Sequence, residues 1–187
     1  MLNKSFEMGI PHDYAFKQLF YHPAVRMLIV QVQPIHTKKW LPDRLYYRAL
    51  NDGRYRPVGA PLPMMAQEYP VISLKRPILV YNATQYSYTR DAAGEEHLGG
   101  DWDSLKIYDL ETHQFAQDIS RQTLKVPADV TRYWISSLLC FSQTEEVLYL
   151  TVGLSQKGEG RMDYYLAGLD IETRVLRVDS PLPAAFM

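Results

Sequence analysis

The stretch between residues 91 and 103 contains the side chains best suited to chemistry. Its acidic and imidazole groups are Glu95, Glu96, His97, Asp101 and Asp103. Carboxylates with one imidazole can bind a divalent ion, and a pair of carboxylates can share acid–base work. Their spacing matches no calcium loop, and no second histidine lies at a spacing typical of zinc sites. We therefore interpret the stretch as a solvated acidic loop and predict no metal site and no cofactor.

Other catalytic and nucleic-acid signatures are also missing from the sequence. No Gly-x-Ser-x-Gly nucleophile motif occurs, and Gly99-Gly100 does not lie between a predicted strand and a predicted helix, as a phosphate loop does. The net charge of −1 and a pI near 6.5 argue against a nucleic-acid partner, which requires a basic surface. The basic pair Lys38-Lys39 is too short to form such a surface.

The chain shows no targeting or membrane signal. The first eight residues contain no apolar run of signal-peptide length, and no 18 consecutive apolar residues occur anywhere. These features predict a cytoplasmic protein with no membrane contact. The single cysteine, Cys140, lies in an apolar run and is predicted to be a small buried hydrophobic residue.

A pattern of apolar residues and turns recurs three times at a spacing of about 60 residues, the spacing of a repeated supersecondary unit. Leu45 is matched by Leu105 and Leu166. The matched turns are Asn51-Asp52-Gly53, Glu111-Thr112-His113 and Glu172-Thr173-Arg174. We predict a single all-β domain over 1–187, with three four-stranded antiparallel repeats. The repeats span about 16–58, 77–119 and 137–179.

The strands of the second repeat are placed by analogy with the others. They are predicted at 77–81, 86–90, 104–110 and 114–119, after a proline-bearing connector over 57–70. At matched positions of the first strands, Phe20, Val80 and Phe141 are predicted to be buried. A short helix over 8–16 and a helical turn over 128–136 are alternatives for those two segments.

Two stretches resemble the third strand and following turn of β-propeller blades of the WD40 and related superfamilies. They are residues 104–112 and 165–173, each ending in an "apolar-x-Asp-apolar-x-Thr" pattern. The resemblance implies a propeller-like arrangement. Because propellers typically have four to eight blades, three repeats require completion by a second copy, by terminal segments or by a larger assembly. A β-sandwich or barrel is the alternative fold.

In a propeller-like fold, the loops between second and third strands gather on one face, and long loops on a rigid frame often carry function. Here these loops cover 34–42, 91–103 and 155–163. The predicted binding residues on this face are Trp40, His36, His97, Trp102, Asp101 and Arg161. Exposed tryptophans with mixed charge around them are typical of protein interfaces. Alternatively, each indole folds back onto its own repeat.

The sequence therefore favours a non-enzymatic protein-binding or scaffold protein, of immunity type or as an assembly subunit. A protein partner is predicted, and a homodimer is one way to complete the fold. The alternative is an enzyme, or a small-ligand or glycan-binding propeller that uses a central channel. That alternative needs convergent polar residues from several repeats, whereas the matched first-strand positions are apolar.

Overall fold

Three β-sheets make up the part of the chain that the computed structural model describes, which is residues 9–35, 40–60, 62–156 and 162–182. Each sheet has four antiparallel strands in sequence order, and the described ranges contain no helix, hence none able to cross a membrane. The prediction of an all-β protein made of three four-stranded antiparallel units is confirmed.

Twelve strands lie within the described ranges. Sheet 1 contains β1 (Tyr14–His22), β2 (Met27–Pro34), β3 (Arg44–Ala49) and β4 (Arg56–Pro57). Sheet 2 contains β5 (Met65–Ile72), β6 (Ile78–Arg90), β7 (Glu96–Asp109) and β8 (Gln114–Ser120). Sheet 3 contains β9 (Val130–Phe141), β10 (Val147–Gln156), β11 (Asp163–Asp170) and β12 (Val175–Pro181).

The repeated Asp-x-x-Thr pattern closes the last hairpin of sheets 2 and 3. Asp109 Oδ1 accepts hydrogen bonds from the backbone N–H groups of Glu111 at 2.8 Å and Thr112 at 2.9 Å. Asp170 Oδ1 does the same for the two residues at 172 and 173, at 3.0 and 2.9 Å. A short side chain that accepts hydrogen bonds from turn N–H groups fixes the hairpin locally. This part of the repeat can therefore be recognised from the sequence alone.

The second sheet differs from the prediction. The two strands predicted at 77–81 and 86–90 form one continuous strand, β6, and the first strand, β5, begins inside the predicted connector and ends just after it. The prolines made that segment resemble a linker. Pro70 is accommodated because the β5–β6 register shifts between Glu68 and Val71, where Tyr69 has a φ of 49°. Such a bulge is one of the few places where a strand tolerates proline.

Other local predictions also need correction. The alternative of a helical turn over 128–136 is wrong, because β9 begins at Val130, and β1 occupies 14–16 of the alternative helix. Cys140 is exposed, not buried. Val80 is buried as predicted, but Phe20 and Phe141 are only half-buried. Val80 lies on the second strand of its sheet whereas the two phenylalanines lie on first strands, so the three positions are not equivalent.

Sheet 2 lies between the other two sheets and has both faces covered. Ile29 and Leu45 of sheet 1 pack with Leu79 and Tyr108 on one face of sheet 2. Because side chains alternate along a strand, the neighbouring residues of β6 point the other way. Apolar side chains on that second face pack against sheet 3 and form the larger core cluster. Its members include Val80, Leu105, Ile107, Leu150, Val152 and Leu169.

The outer face of sheet 1 is partly covered by the chain itself. Val30, Val32 and Tyr46 point away from sheet 2 and form a cluster with Ile10 and Tyr55. All five side chains are buried. The same face continues onto β1, where the large apolar side chains stay exposed: Phe16, Leu19 and Tyr21.

Glu145 links sheet 3 to the turn between β5 and β6. Its carboxylate accepts hydrogen bonds from the Ser73 hydroxyl and from the backbone N–H groups of Leu74, at 2.7 Å, and Lys75, at 3.0 Å. The residue is only 8% exposed. Burial raises the pKa of Glu145, but the hydrogen bond from Ser73 and those from the two backbone groups outweigh it, and the pKa lies below its ordinary value.

Replacing Glu145 with Gln tests this link. The variant places an amide N–H₂ against donors, so we expect the free energy of unfolding at pH 7 to fall by about 1–3 kcal/mol. A carboxylate whose pKa is depressed in the folded state stabilises the protein at pH values above its ordinary pKa, here 4.5. This contribution is lost as the pH falls through the pKa of the folded state. The stability difference between wild type and variant should therefore shrink below pH 4.5 in urea titrations. The control is Glu146→Gln at the exposed neighbouring position, which should change the free energy of unfolding little. Equal stability of wild type and Glu145→Gln at pH 7 would contradict the assignment.

Candidate functional site

Strands β6 and β7 are the longest in the described chain, with 13 and 14 residues, and their far ends leave the sheet stack. The pairing of β5 with β6 stops at Gln85, and β8 pairs with β7 only from Ser104 onward. Residues 86–101 therefore form a two-stranded ribbon with no further strand on either side. We call this ribbon the arm.

The two faces of the arm differ in chemistry. Alternation along the strands puts Tyr86, Tyr88 and Leu98 on one side, with Tyr88 directly opposite Leu98 in the register. Tyr88 is 51% exposed and Leu98 is 36% exposed. The other side carries polar and small residues, which are Ser87, Thr89, His97, Gly99 and Asp101. We call the first side the apolar face of the arm.

The base of the arm is held by Trp40. Its ring centroid lies 4.4 Å from that of Tyr86. A Cβ atom at Gly100 would lie 2.8 Å from the Tyr86 ring, so only glycine lets this ring lie across the opposite strand. The Tyr86 hydroxyl donates to Glu68 Oε1 at 3.2 Å. Burial, with the charge of Glu68 as a further cause, raises the pKa of Tyr86 to about 12.

The tip of the arm is held by hydrogen bonds and an ion pair among its own charged groups. Asp91 accepts hydrogen bonds from the backbone N–H groups of Ala93 and Glu95, each at 2.9 Å, and lies 2.9 Å from His97 Nε2. The hydrogen bond with His97, followed by that from Glu95, lowers the pKa of Asp91. Arg90 and Glu96 form an ion pair at 2.7 Å. The acidic and imidazole groups at this tip therefore close the hairpin.

The predicted binding residues that the structure describes do not lie together in one exposed loop surface. Trp40 is half-buried at the base of the arm, and His97 and Asp101 lie on its polar side. His36 and Arg161 lie outside the described residues. The predicted loop over 91–103 is mostly strand, since β7 begins at Glu96 and only the tip is a turn.

Trp102 is not an exposed anchor: only 1% of it is exposed. Its side chain belongs to the cluster between sheets 2 and 3, with the Tyr133 ring 5.6 Å away and the Arg121 guanidinium 5.9 Å from its ring centroid. The indole therefore neither stands exposed nor folds back onto its own repeat alone, because it is buried between sheet 2 and sheet 3. Its Nε1–H has no hydrogen-bond partner among the described residues.

A cleft lies between sheets 2 and 3 beside the arm, with a volume of about 460 Å³. Arg121 joins the cleft to the arm, because it forms an ion pair with Asp101 and donates to the Trp102 carbonyl at 3.1 Å. Tyr133 donates its hydroxyl to the Arg121 carbonyl at 2.9 Å. Arg132 and Trp134 complete a wall of aromatic and cationic side chains. Such a wall can stack on a ring and attract an anion.

Sequence reasoning missed the apolar face of the arm. The strand predicted at 86–90 by analogy with the other repeats is the end of β6. What the sequence did not show is that this strand extends beyond its neighbours, because that depends on where β5 and β8 end. Exposure of Tyr88 and Leu98 follows from this long-range feature alone.

The contact between Trp40 and Tyr86 should stabilise the arm without stabilising the rest of the fold. An isolated two-stranded ribbon is marginally stable, and an aromatic pair contributes roughly 0.5–1.5 kcal/mol. Trp40→Ala should therefore accelerate hydrogen exchange of amides in residues 86–101 by about two- to tenfold. Exchange in β10 should stay unchanged, as should exchange throughout a Leu62→Ala control. Uniform acceleration over all three sheets would show that Trp40 supports the whole fold instead.

Comparison with known proteins informs the fold. No known family profile matches the sequence, and no curated protein matches it. Two solved propeller structures are similar in fold, at a low sequence identity that carries no functional assignment. A GH74 xyloglucanase from Xanthomonas campestris aligns over 90% of this chain and 21% of its own, with a TM-score of 0.50 and 14% identity. The Hadza microbial sialidase Hz136 aligns over 95% of this chain and 39% of its own, with a TM-score of 0.52 and 8% identity.

The chain thus spans well under half the length of either similar structure. Three four-stranded sheets stacked in sequence order, together with this likeness, define a loosely propeller-like fold that the described residues do not close by themselves.

Proposed function

We propose that this protein is a non-enzymatic binding protein that holds a protein partner through the apolar face of the arm. The observation that carries the proposal is the exposure of Tyr88 and Leu98 on a ribbon outside the sheet stack. These side chains add nothing to the three-sheet core. Contact with a partner would bury them.

The composition of this surface fits a protein interface. Aromatic residues supply a large contact area with few rotatable bonds, and interfaces favour them at their centre with charged groups at the rim. Here Trp40 and Tyr86 continue the apolar strip towards the base, and the Arg90–Glu96 pair borders it at the tip. A ribbon of this kind would serve an assembly subunit or an immunity-type protein equally well.

The charges of the arm also favour binding over catalysis. Asp91 and His97 hold each other, and Glu96 holds Arg90. Groups already engaged in closing a hairpin are poorly placed to move a substrate proton. We therefore assign them to shaping the arm.

A photo-crosslinking side chain tests the proposal directly. Placed at position 88 in cells of the source organism, it should form a discrete adduct with one protein, and the same group at position 87 on the polar face should not. The partner identified by mass spectrometry is then purified and titrated. Tyr88→Ala combined with Leu98→Ala should weaken its binding about 30-fold or more, as loss of a hot spot worth roughly 2 kcal/mol does.

The matched control is Ser87→Ala with Thr89→Ala, which changes the opposite face and should bind as wild type does. Wild-type affinity of the Tyr88→Ala, Leu98→Ala variant would contradict the proposal. Loss of binding in the control alone would also contradict it.

The cleft supports a second candidate function, which is glycan binding. Tyr133 and Trp134 offer aromatic faces on which a sugar ring can stack, and Arg132 offers a cation for an acidic sugar. The similar structures are by name a xyloglucanase and a sialidase, which makes a glycan the ligand class to examine.

Titration with xyloglucan oligosaccharides and sialylated oligosaccharides tests this second candidate. Binding that Trp134→Ala abolishes, and that Tyr88→Ala leaves intact, would place a glycan in the cleft. An acidic sugar should in addition lose affinity in Arg132→Ala. Absence of binding to both oligosaccharide classes would reject the second candidate and leave the arm as the binding element.

A further inference from the structure

The backbone of the arm offers hydrogen-bonding groups in addition to its side chains. Because β8 pairs with β7 only from Ser104 onward, the edge of β7 over residues 96–102 has no strand beside it in the described part of the chain. Each outward-pointing residue of such an edge presents one N–H donor and one carbonyl acceptor. This stretch, which we call the free edge of β7, can therefore pair with another extended chain.

Local hydrogen bonds show which residues of the free edge point outward. In an antiparallel ribbon, the backbone groups of successive residues point alternately towards the paired strand and away from it. The Asp91 N–H donates to the Glu95 carbonyl at 3.0 Å across the arm, so Glu95 points inward. At the other end, the Trp102 carbonyl accepts a hydrogen bond from Arg121 Nε, just past the end of β8, and so points outward. The outward-pointing residues between these two ends are Glu96, Leu98 and Gly100.

The backbone groups on this edge are accessible. Within the described ranges, no N–H or carbonyl of the three outward-pointing residues has a backbone partner, and all three residues are exposed. Gly99 and Gly100 carry no side chain that would keep a second backbone at a distance. The cleft that Gly100 lines leaves room beside the base of the edge.

The opposite edge of the arm, on β6, is shorter and partly occupied. The Tyr86 N–H donates to the Met64 carbonyl at 2.8 Å, and the Tyr86 carbonyl accepts a hydrogen bond from Gln85 Nε2 at 3.0 Å. Beyond Tyr86, alternation leaves only two outward-pointing residues on β6 before the tip. Residues 96–100 of β7, in contrast, have the length of an ordinary strand, which is about five residues.

Other edge strands of the three sheets have features that hinder pairing with a further chain. β4 has two residues, and β1, β5, β8, β9 and β12 each contain at least one extra residue relative to the strand beside them. Such bulges commonly keep an edge from pairing with another chain. Residues 96–102 pair with 84–90 without any shift, so the free edge of β7 keeps the regular geometry that an added strand needs.

We propose that an extended segment of the protein partner adds to the free edge of β7 as a further strand. This inference rests on the proposed function, because the segment belongs to the protein that contacts the apolar face of the arm. Paired residues of neighbouring strands share a face, so a side chain of the added strand lies beside Leu98 on the apolar face. The segment should therefore carry apolar residues at alternate positions, while its main chain supplies the hydrogen bonds.

Amide hydrogen exchange at single-residue resolution tests the proposal. The probe is the purified protein that the photo-crosslinking group at position 88 captures. In its complex with the full chain, exchange of the Leu98 and Gly100 amides should slow at least about tenfold, because both N–H groups gain acceptors. The Arg90 amide on the opposite edge should exchange as in the free chain. Unchanged exchange of the Leu98 and Gly100 amides in the complex would overturn the proposal.

A backbone ester separates the contribution of the edge from that of the apolar face. The α-hydroxy analogue of leucine at position 98 removes the N–H and keeps the side chain, so the dissociation constant should rise about three- to tenfold. The matched control is the α-hydroxy analogue of arginine at position 90, which removes an outward N–H from the β6 edge. Both esters weaken one carbonyl of the same Thr89–His97 pair and so disturb the arm equally. The control should bind as wild type does.

The added strand and the proposed function fail in different ways. Binding that Tyr88→Ala with Leu98→Ala weakens, but that the ester at position 98 leaves unchanged, would overturn the added strand and retain the apolar face as the contact. Weaker binding by the ester at position 90 alone would place the added strand on β6 and overturn the assignment to β7. If position 88 captures no protein, the proposed function fails and the added strand fails with it.

Discussion

The fold depends on one constraint, which is that a four-stranded sheet with apolar residues on both faces must have both faces covered. Sheet 2 meets this constraint completely, because Leu79 and Tyr108 face sheet 1 while Val80 and Ile107 face sheet 3. Polar links keep these layers in register. The Asn82 amide of sheet 2 donates to the Ile135 carbonyl of sheet 3 at 3.2 Å, and His22 Nε2 of sheet 1 lies 2.9 Å from the Arg76 carbonyl. Hydrogen bonds between buried groups fix the layers in relative position, since any slip would leave those groups unsatisfied.

The proposed function depends on the length of one hairpin. The three sheets share the same meander, but in sheet 2 the β6–β7 hairpin extends well beyond β5 and β8. Inside the stack, alternating apolar residues on both faces of a strand are buried by the neighbouring sheets. In the arm, the same alternation produces one apolar and one polar face because no sheet lies beside it. An element that serves the core thus becomes, a few residues further on, an exposed ribbon, which we propose as the surface that contacts another protein.

The sequence predicted the features that local chemistry determines. The Asp109 and Asp170 turns and the ends of the strands before them were correctly placed, because each turn satisfies its own backbone groups, whereas the start of β7 was missed. Features that depend on distant residues were not predicted. Pro70 concealed β5 because its bulge forms only against β6, and Trp102 was assigned to a loop because nothing local shows that it faces sheet 3. Of the residues in the arm and at its base, the sequence analysis named Trp40, His97 and Asp101 as binding residues, which stays a prediction, and it did not name the exposed pair Tyr88 and Leu98.

The most direct test of the account is hydroxyl-radical footprinting of this protein in extracts of its source cells, compared with the same measurement on the purified chain. The account predicts that Tyr88 and Leu98 react readily in the purified protein and are protected in the extract, while the exposed Tyr21 on β1 reacts equally in both. Equal reactivity of Tyr88 in the two samples, with protection appearing instead at Tyr133 and Trp134 in the cleft, would contradict it.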